Sequence, residues 1–348
     1  MSRRFVFAVL AVVLLGIVFR GPLVAYGKSA LLISEVFPAI GVKPLAAVTE
    51  APRYSEVTFA SERGSVVADL FLPVPRFGTT GLKSAPSLIL CLGVRVQQLD
   101  RPVLLNLAQA LARLGFVVIW PRSESLNRGV PSIEEPATFL AGYRYLEGLE
   151  IVDPTRISFV GFSVGSSIAF ITAADDDIAD RVRSVVFFGG YFDIFDYVTS
   201  LVTRTASCGD RVIPWQASPA AVEHMKEIFE EKRSPSLMRV FDATSREEAD
   251  AILRAAPQAD IADLRKLDPR ERVDRFRSRI FILHDEGDSL IPYCDAVTLK
   301  ESLPPRVEST YLLLHVFEHV TPTKAISPET LADFARLYQF LAAVLEYM

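Results

Sequence analysis

Histidine is scarce in this 348-residue chain, at four residues, and cysteine scarcer still, at three. Cys91, Cys208 and Cys294 are an odd number at wide spacing, which excludes a full disulfide framework, and no Cys-x-x-Cys pair supports a zinc site. Cys91 lies in an apolar run and reads as a small core residue; a single bridge between Cys208 and Cys294 stays open. Neither sign of charge dominates: 37 Lys and Arg face 42 Asp and Glu, for a net charge of -5. No basic run or stripe stands out, which argues against a nucleic-acid partner. There is no internal repeat, no Gly-rich phosphate loop and no dinucleotide fingerprint after any strand, so no cofactor is expected. Asp175-Asp176-Asp177 reads as a solvated turn rather than a metal site, because consecutive acids at a helix end point in different directions.

Half of the residues are hydrophobic and 23% are charged, the balance of a globular protein with a large core. One apolar stretch is unlike the rest. Arg3 and Arg4 precede an unbroken run over 5–19, followed by Arg20-Gly21-Pro22. A membrane span needs roughly 20 residues, and a snorkelling Arg20 would extend this one towards Tyr26. The same pattern fits an export signal, with small residues at Ala25 and Gly27 for cleavage. The expectation is a membrane anchor or export signal over 1–27, with a buried helix of the main fold as the alternative and the side of the membrane open, and a linker over 28–52.

From residue 53 onward, short β-rich runs alternate with helical patterns. Runs over 54–60 and 66–72 flank the turn Ser61-Glu62-Arg63-Gly64 and predict a hairpin. Residues 87–93 are near-continuously apolar, as in a strand covered on both faces. Further strands are predicted over 116–120, 156–162, 183–189, 279–284 and 308–314, and a last helix carries Leu331, Phe334, Tyr338, Leu341 and Leu345 at helical period. Ser132 and Glu135 form one predicted capping box, Ser245 and Glu248 another. The alternation predicts an α/β fold: a mostly parallel eight-stranded sheet with helices on both faces and a hairpin at one edge. The core is expected over 53–190 and 278–348. Between them, 191–277 shows only helical and loop patterns and reads as a helical cap or lid.

Gly161-Phe162-Ser163-Val164-Gly165 directly follows the predicted strand over 156–162 and precedes a helix-compatible run. The glycines permit a sharp turn and close helix packing, which exposes the serine hydroxyl at a helix N-terminus, as in a nucleophile elbow. Such a serine needs a base. His224 lies on a helix of the predicted lid, and His284 ends a strand and reads as support for the turn after it. His319, in the connection before the last helix, is the leading candidate, with His315 its rival. Asp288, on the turn after 280–283, is the candidate that orients the imidazole; Asp285, Glu286 and Asp193 remain alternatives. The oxyanion would be held by the N–H groups of Val164 and Val94, with Arg95 the neighbour in doubt.

Together, the eight strand-like runs, the elbow after the fifth, the acid turn after the seventh and the histidine after the eighth resemble the α/β-hydrolase superfamily over roughly 54–348. Gly161 to Gly165 and His284-Asp285-Glu286-Gly287-Asp288-Ser289-Leu290-Ile291-Pro292 are similar to its dienelactone-hydrolase-like branch. That branch often carries cysteine at the elbow, where this chain has serine, and many members show His-Gly where this chain has Leu92-Gly93. The resemblance implies acyl transfer to water without a cofactor, on a small-molecule carboxylic ester. A peptidase or amidase, an acyltransferase and a non-catalytic, membrane-tethered binding protein are the alternatives. Oligomeric state is not legible.

Overall fold

The computed structural model describes residues 20–37, 40–62, 64–74, 84–94, 101–321, 328 and 330–348. Its centre is an eight-stranded sheet in the order β1-β2-β4-β3-β5-β6-β9-β10. The strands are β1 (Arg53–Ser61), β2 (Gly64–Leu72), β3 (Ala85–Cys91), β4 (Val117–Pro121), β5 (Val152–Phe162), β6 (Ser184–Phe188), β9 (Arg279–Asp285) and β10 (Ser309–Leu314). β1 and β2 form the expected antiparallel hairpin, and β2 meets β4 antiparallel. From β4 through β10 every pairing is parallel.

Both faces of the parallel strands are covered, so their side chains alternate between two cores. Ile89, Phe159, Phe187 and Ile282 point to one, where they meet α5 (Glu135–Glu147), α6 (Val164–Ala173) and α12 (Cys294–Ser302). Leu88, Val160, Phe188 and Leu283 point to the other, under α1 (Arg20–Val36), α3 (Arg101–Arg113) and α13 (Leu331–Tyr347). This period-2 alternation within uniformly apolar runs is the mark of a strand buried on both sides. Two short helices, α2 (Pro44–Val48) and α4 (Glu124–Arg128), complete this part of the chain.

The N-terminal expectations need correction. Where the sequence suggests an anchor running into a linker, residues 20–36 form α1, which packs on α13: Ser29 Oγ donates to the Tyr338 carbonyl at 2.8 Å, and the Tyr26 and Tyr338 rings lie 5.3 Å apart. Asn106 of α3 donates to the Glu35 carbonyl at 2.8 Å, and Arg113 fixes the end of α2 by donating to the Thr49 carbonyl at 2.7 Å. Ala25, Leu32 and Ile33 of α1 are thus buried within the protein, while Leu23 and Val24 stay exposed. No helix among the described residues is long and apolar enough to cross a membrane, so the membrane anchor, the transmembrane helix and the export signal are without support. The apolar run over 5–19 lies outside the described residues.

Between β6 and β9 the chain builds α7 (Ile194–Thr203), α8 (Pro219–Glu231), α9 (Pro235–Met238), α10 (Arg246–Ala255) and α11 (Gln258–Lys266), with 3-10 turns at Arg239–Asp242 and Pro269–Arg275. It also contains a hairpin that the sequence reading missed, β7 (Thr205–Cys208) with β8 (Arg211–Pro214), turning on Gly209-Asp210 with Gly209 at φ 60°. The block has its own apolar core around Phe229, Leu237, Val240 and Leu253. Of the two predicted capping boxes, Ser245 does cap α10 by accepting from Glu248 N, whereas Ser132 accepts from Glu134 N just ahead of α5 and Glu135 accepts from the Ser123 and Ser125 hydroxyls instead of completing a box.

Candidate active site

At the carboxyl end of β5 the chain turns into α6 through Ser163, whose φ of 55° and ψ of -137° are costly for a residue with a Cβ. Three contacts hold that turn. Ser163 N donates to the Phe188 carbonyl at 2.8 Å, Ser166 N donates to the Ser163 carbonyl at 2.8 Å, and the Ser166 hydroxyl donates to the Phe188 carbonyl at 2.9 Å. The flanking glycines are required by space. A Cβ on Gly165 would lie 2.1 Å from the Cys91 carbonyl oxygen, and one on Gly161 would lie 2.4 Å from Ser166 Cα. Close approach of α6 to β3 and β5 therefore creates the elbow, and any larger residue would push the two apart.

The acid and the histidine arrive on neighbouring loops. Asp288 follows β9 and is 2% exposed. Its Oδ1 accepts from Leu290 N at 2.8 Å and Ile291 N at 3.1 Å, and its Oδ2 meets His319 Nδ1 at 2.6 Å. Burial alone would raise the Asp288 pKa, but the charge of His319 and hydrogen bonds from His284 and His319 hold it well below the usual carboxylate range. The carboxylate thus stays ionised, Nδ1 of His319 carries the proton, and Nε2 is left as the basic nitrogen. His319 has φ 57° and sits in a tight turn closed by paired Glu318 and Thr321 backbones.

Gly189-Gly190, after β6, lies between the serine and this pair. A Cβ on Gly189 would be 3.6 Å from His319 Nδ1, and one on Gly190 would be 3.0 Å from the Ser163 carbonyl oxygen. Gly93, after β3, presses on the serine from another side: a Cβ there would be 3.2 Å from Ser163 Oγ. Val94 follows in that same strip of backbone, and Val164 opens α6, where the first N–H groups of a helix have no partner within it. Arg95, the neighbour of Val94, lies outside the described residues.

The rival residues have other work. Asp285 ties the two loops together, accepting from Gly287 N at 2.8 Å and Phe317 N at 2.7 Å. Glu286 pairs with His315, whose side chain is 56% exposed and turned towards Glu286 and Asp333. Asp193 caps α7 and pairs with Arg270. His224 lies on α8, 3.5 Å from Glu227. Of the acids at 175–177, Asp176 and Asp177 pair with Arg275 and Arg144.

Sequence reasoning missed how firmly the block after β6 grips the acid turn. Trp215 Nε1 donates to the Asp288 carbonyl at 2.8 Å, Ser218 N to the Ser289 carbonyl at 2.7 Å, and the Tyr197 hydroxyl to the Leu290 carbonyl at 2.9 Å. The bridge left open between Cys208 and Cys294 is present, joining β7 to the start of α12 across a separation of 86 residues. His284 was expected to support the turn, but its contact with the Asp288 carboxylate has no sequence signal beyond the four-residue spacing.

No protein-family model and no curated protein matches the sequence. Solved structures do match. The chain is similar to the acylaminoacyl peptidase of Pyrococcus horikoshii, at 13% identity and a TM-score of 0.55 over 87% of this chain and 43% of that one. It is similar to a puromycin-hydrolyzing peptidase of Mycobacterium tuberculosis, at 13% identity and a TM-score of 0.55 over 84% of this chain and 39% of that one. A 2,6-dihydroxy-pseudo-oxynicotine hydrolase matches at 16% identity and a TM-score of 0.50, over 84% of this chain and 69% of that one. The chain has the α/β-hydrolase fold. It spans about two fifths of the two peptidase chains. The likeness reaches the fold and does not single out the dienelactone-hydrolase-like branch.

Proposed function

We propose that this chain is a serine hydrolase that transfers an acyl group to water through Ser163, His319 and Asp288. The observation that carries the reading is the 2.6 Å contact of His319 Nδ1 with a buried, ionised Asp288, on a loop beside a strained serine elbow. In this mechanism Ser163 Oγ attacks the substrate carbonyl carbon while His319 Nε2 takes its proton. Negative charge moves to the carbonyl oxygen, where the N–H groups of Val164 and Val94 receive it. The imidazolium, stabilised by Asp288, then protonates the leaving group as its bond to carbon breaks. Water repeats the sequence on the acyl-enzyme and releases the acid.

The bond cleaved is the finer question. The structures similar in fold include proteins named as peptidases, which supports a peptide or amide bond over the carboxylic ester that the sequence alone suggests. An activated ester forms the same acyl-enzyme and remains a useful probe. The block over 191–277 fits the role of a cap, since it fastens to the acid turn beside the site. A matched panel of nitrophenyl esters and aminoacyl naphthylamides tests the reading. The expected result is naphthylamide hydrolysis that Ser163→Ala lowers by about 10³-fold or more. Turnover of esters alone would restore the ester reading. Product formed only with added alcohol or amine would make the chain an acyltransferase, and turnover unaffected by Ser163→Ala would defeat the proposal.

A further inference from the structure

Asp288 Oδ2 meets a second imidazole besides that of His319. His284, the next-to-last residue of β9, is fully buried and places Nε2 3.1 Å from Oδ2 and 3.0 Å from the Ile291 carbonyl oxygen. A carbonyl oxygen only accepts, so the proton of His284 lies on Nε2, shared between Oδ2 and Ile291. Among the described residues its Nδ1 is buried without a partner, so the hydrogen bonding of this ring runs through Nε2 alone. We propose that His284 is a positioning residue for the triad: its Nε2–H fixes the Asp288 carboxylate and, by sharing Oδ2, weakens the hold of Asp288 on the protonated form of His319.

The chemistry follows from the count of donors. With Leu290 N and Ile291 N on Oδ1 and two ring N–H groups on Oδ2, the carboxylate has no freedom to rotate. The charge on Oδ2 is divided between two donors, so the imidazolium of His319 is attracted less than it would be by a carboxylate given to it alone. Other titratable groups around the turn are engaged elsewhere. Asp285 holds the Gly287 and Phe317 amides, Glu286 pairs with His315, Asp295 of α12 accepts from Phe192 N, and Tyr197 of α7 donates to the Leu290 carbonyl. Asp288 is therefore the carboxylate through which His284 acts.

This inference rests on the serine-hydrolase reading, and Ser163→Ala separates the two: if that variant keeps its activity, the function fails rather than the role of His284. Nitrogen-15 spectra of the wild-type protein should show His284 protonated at Nε2 throughout the pH range of activity. A proton on Nδ1 instead would overturn the proposal, because bare Nε2 cannot donate to Asp288. His284→Phe, which keeps the ring volume and removes the donor, should lower kcat about tenfold while KM stays within about twofold. Its kcat/KM profile should have an acid limb about half a pH unit higher, since the unshared carboxylate favours the imidazolium. His284→Gln, whose amide can reach Oδ2, should restore most of both. A folded Phe variant with the wild-type limb and rate, or a Gln variant no better than Phe, would contradict the role. If the Phe variant does not fold, the nitrogen-15 result decides.

Discussion

The acid turn after β9 and the base of the inserted block each bury a carboxylate to nearly the same depth, Asp288 at 2% exposure and Asp268 at 3%. Their surroundings push the two in opposite directions. Asp288 faces two imidazoles and two backbone N–H groups and stays ionised. Asp268 caps the 3-10 turn at Pro269–Arg275 but feels the charge of Asp193; burial first, and Asp193 second, push it up to about 8. Asp295, which accepts from Phe192 N in the same neighbourhood, is raised for the same first reason. Burial sets the cost of a charge, and the donors around it decide whether that cost is met. At the acid turn they meet it, which keeps a permanent anion behind His319. Under the block they meet it less fully, and burial raises Asp268 and Asp295 above the usual carboxylate range.

The strongest way to break this contrast is Asp288→Asn. It removes the anion and the correct histidine tautomer together, so kcat should fall about 10⁴-fold with KM little changed. Stability should respond with a definite sign. The folded pKa of Asp288 is depressed, so its contribution is present above the ordinary carboxylate value of 3.8 and is lost as pH falls through the folded value. The variant should therefore be less stable than wild type at neutral pH, with a gap in Tm that narrows below about pH 4. A gap independent of pH would mean that the Asp288 carboxylate contributes by packing alone.

A smaller effect of opposite sign is expected for Asp268→Asn. The folded pKa here is raised, so stability is fully present below the unfolded value of 3.8 and declines as pH rises towards about 8. Asparagine keeps the acceptor that caps Arg270 N at 3.1 Å and removes the titration. The Tm of the variant relative to wild type should climb by about a few degrees between pH 5 and pH 8, then level off. Activity at neutral pH should change less than about twofold. A falling difference over the same range would show that Asp268 is ionised in the folded protein and overturn the contrast.

The parts of the fold readable from sequence are those written in local pattern. The apolar run over 87–93 predicts a strand covered on both faces and 156–162 a further strand, and the structure has β3 and β5 there with alternate residues in two cores. Ser163 was legible because the glycines that permit the turn sit beside it in the chain. Asp288 and His319 stand out by their order and their positions after strands, and the structure brings these two within 2.6 Å of each other. What depends on distant partners was not. Asp268 precedes a proline and looks like any solvated helix cap; only the proximity of Asp193 and the packing of the block make it a buried acid. The four-residue strands β7 and β8 are too short to show a period, although Gly209-Asp210 between them is a turn signal that was available. At the N-terminus the anchor expected over 1–27 overlaps the first turns of α1, where Ala25 is buried in the protein, and the expected linker holds Leu32 and Ile33, which join the core under α3 and α13; an apolar residue buried in a core and one in a membrane span look alike in sequence.

If Ser163 is a nucleophile activated by the Asp288–His319 pair, it must react with a serine-directed electrophile. Reaction of the folded protein with a fluorophosphonate, followed by peptide mass mapping, tests it most directly. The expected result is a single phosphonyl adduct on the peptide containing Ser163, absent in Ser163→Ala and formed at least about a hundredfold more slowly in Asp288→Asn. No adduct on the wild type, or one on another serine, would contradict it.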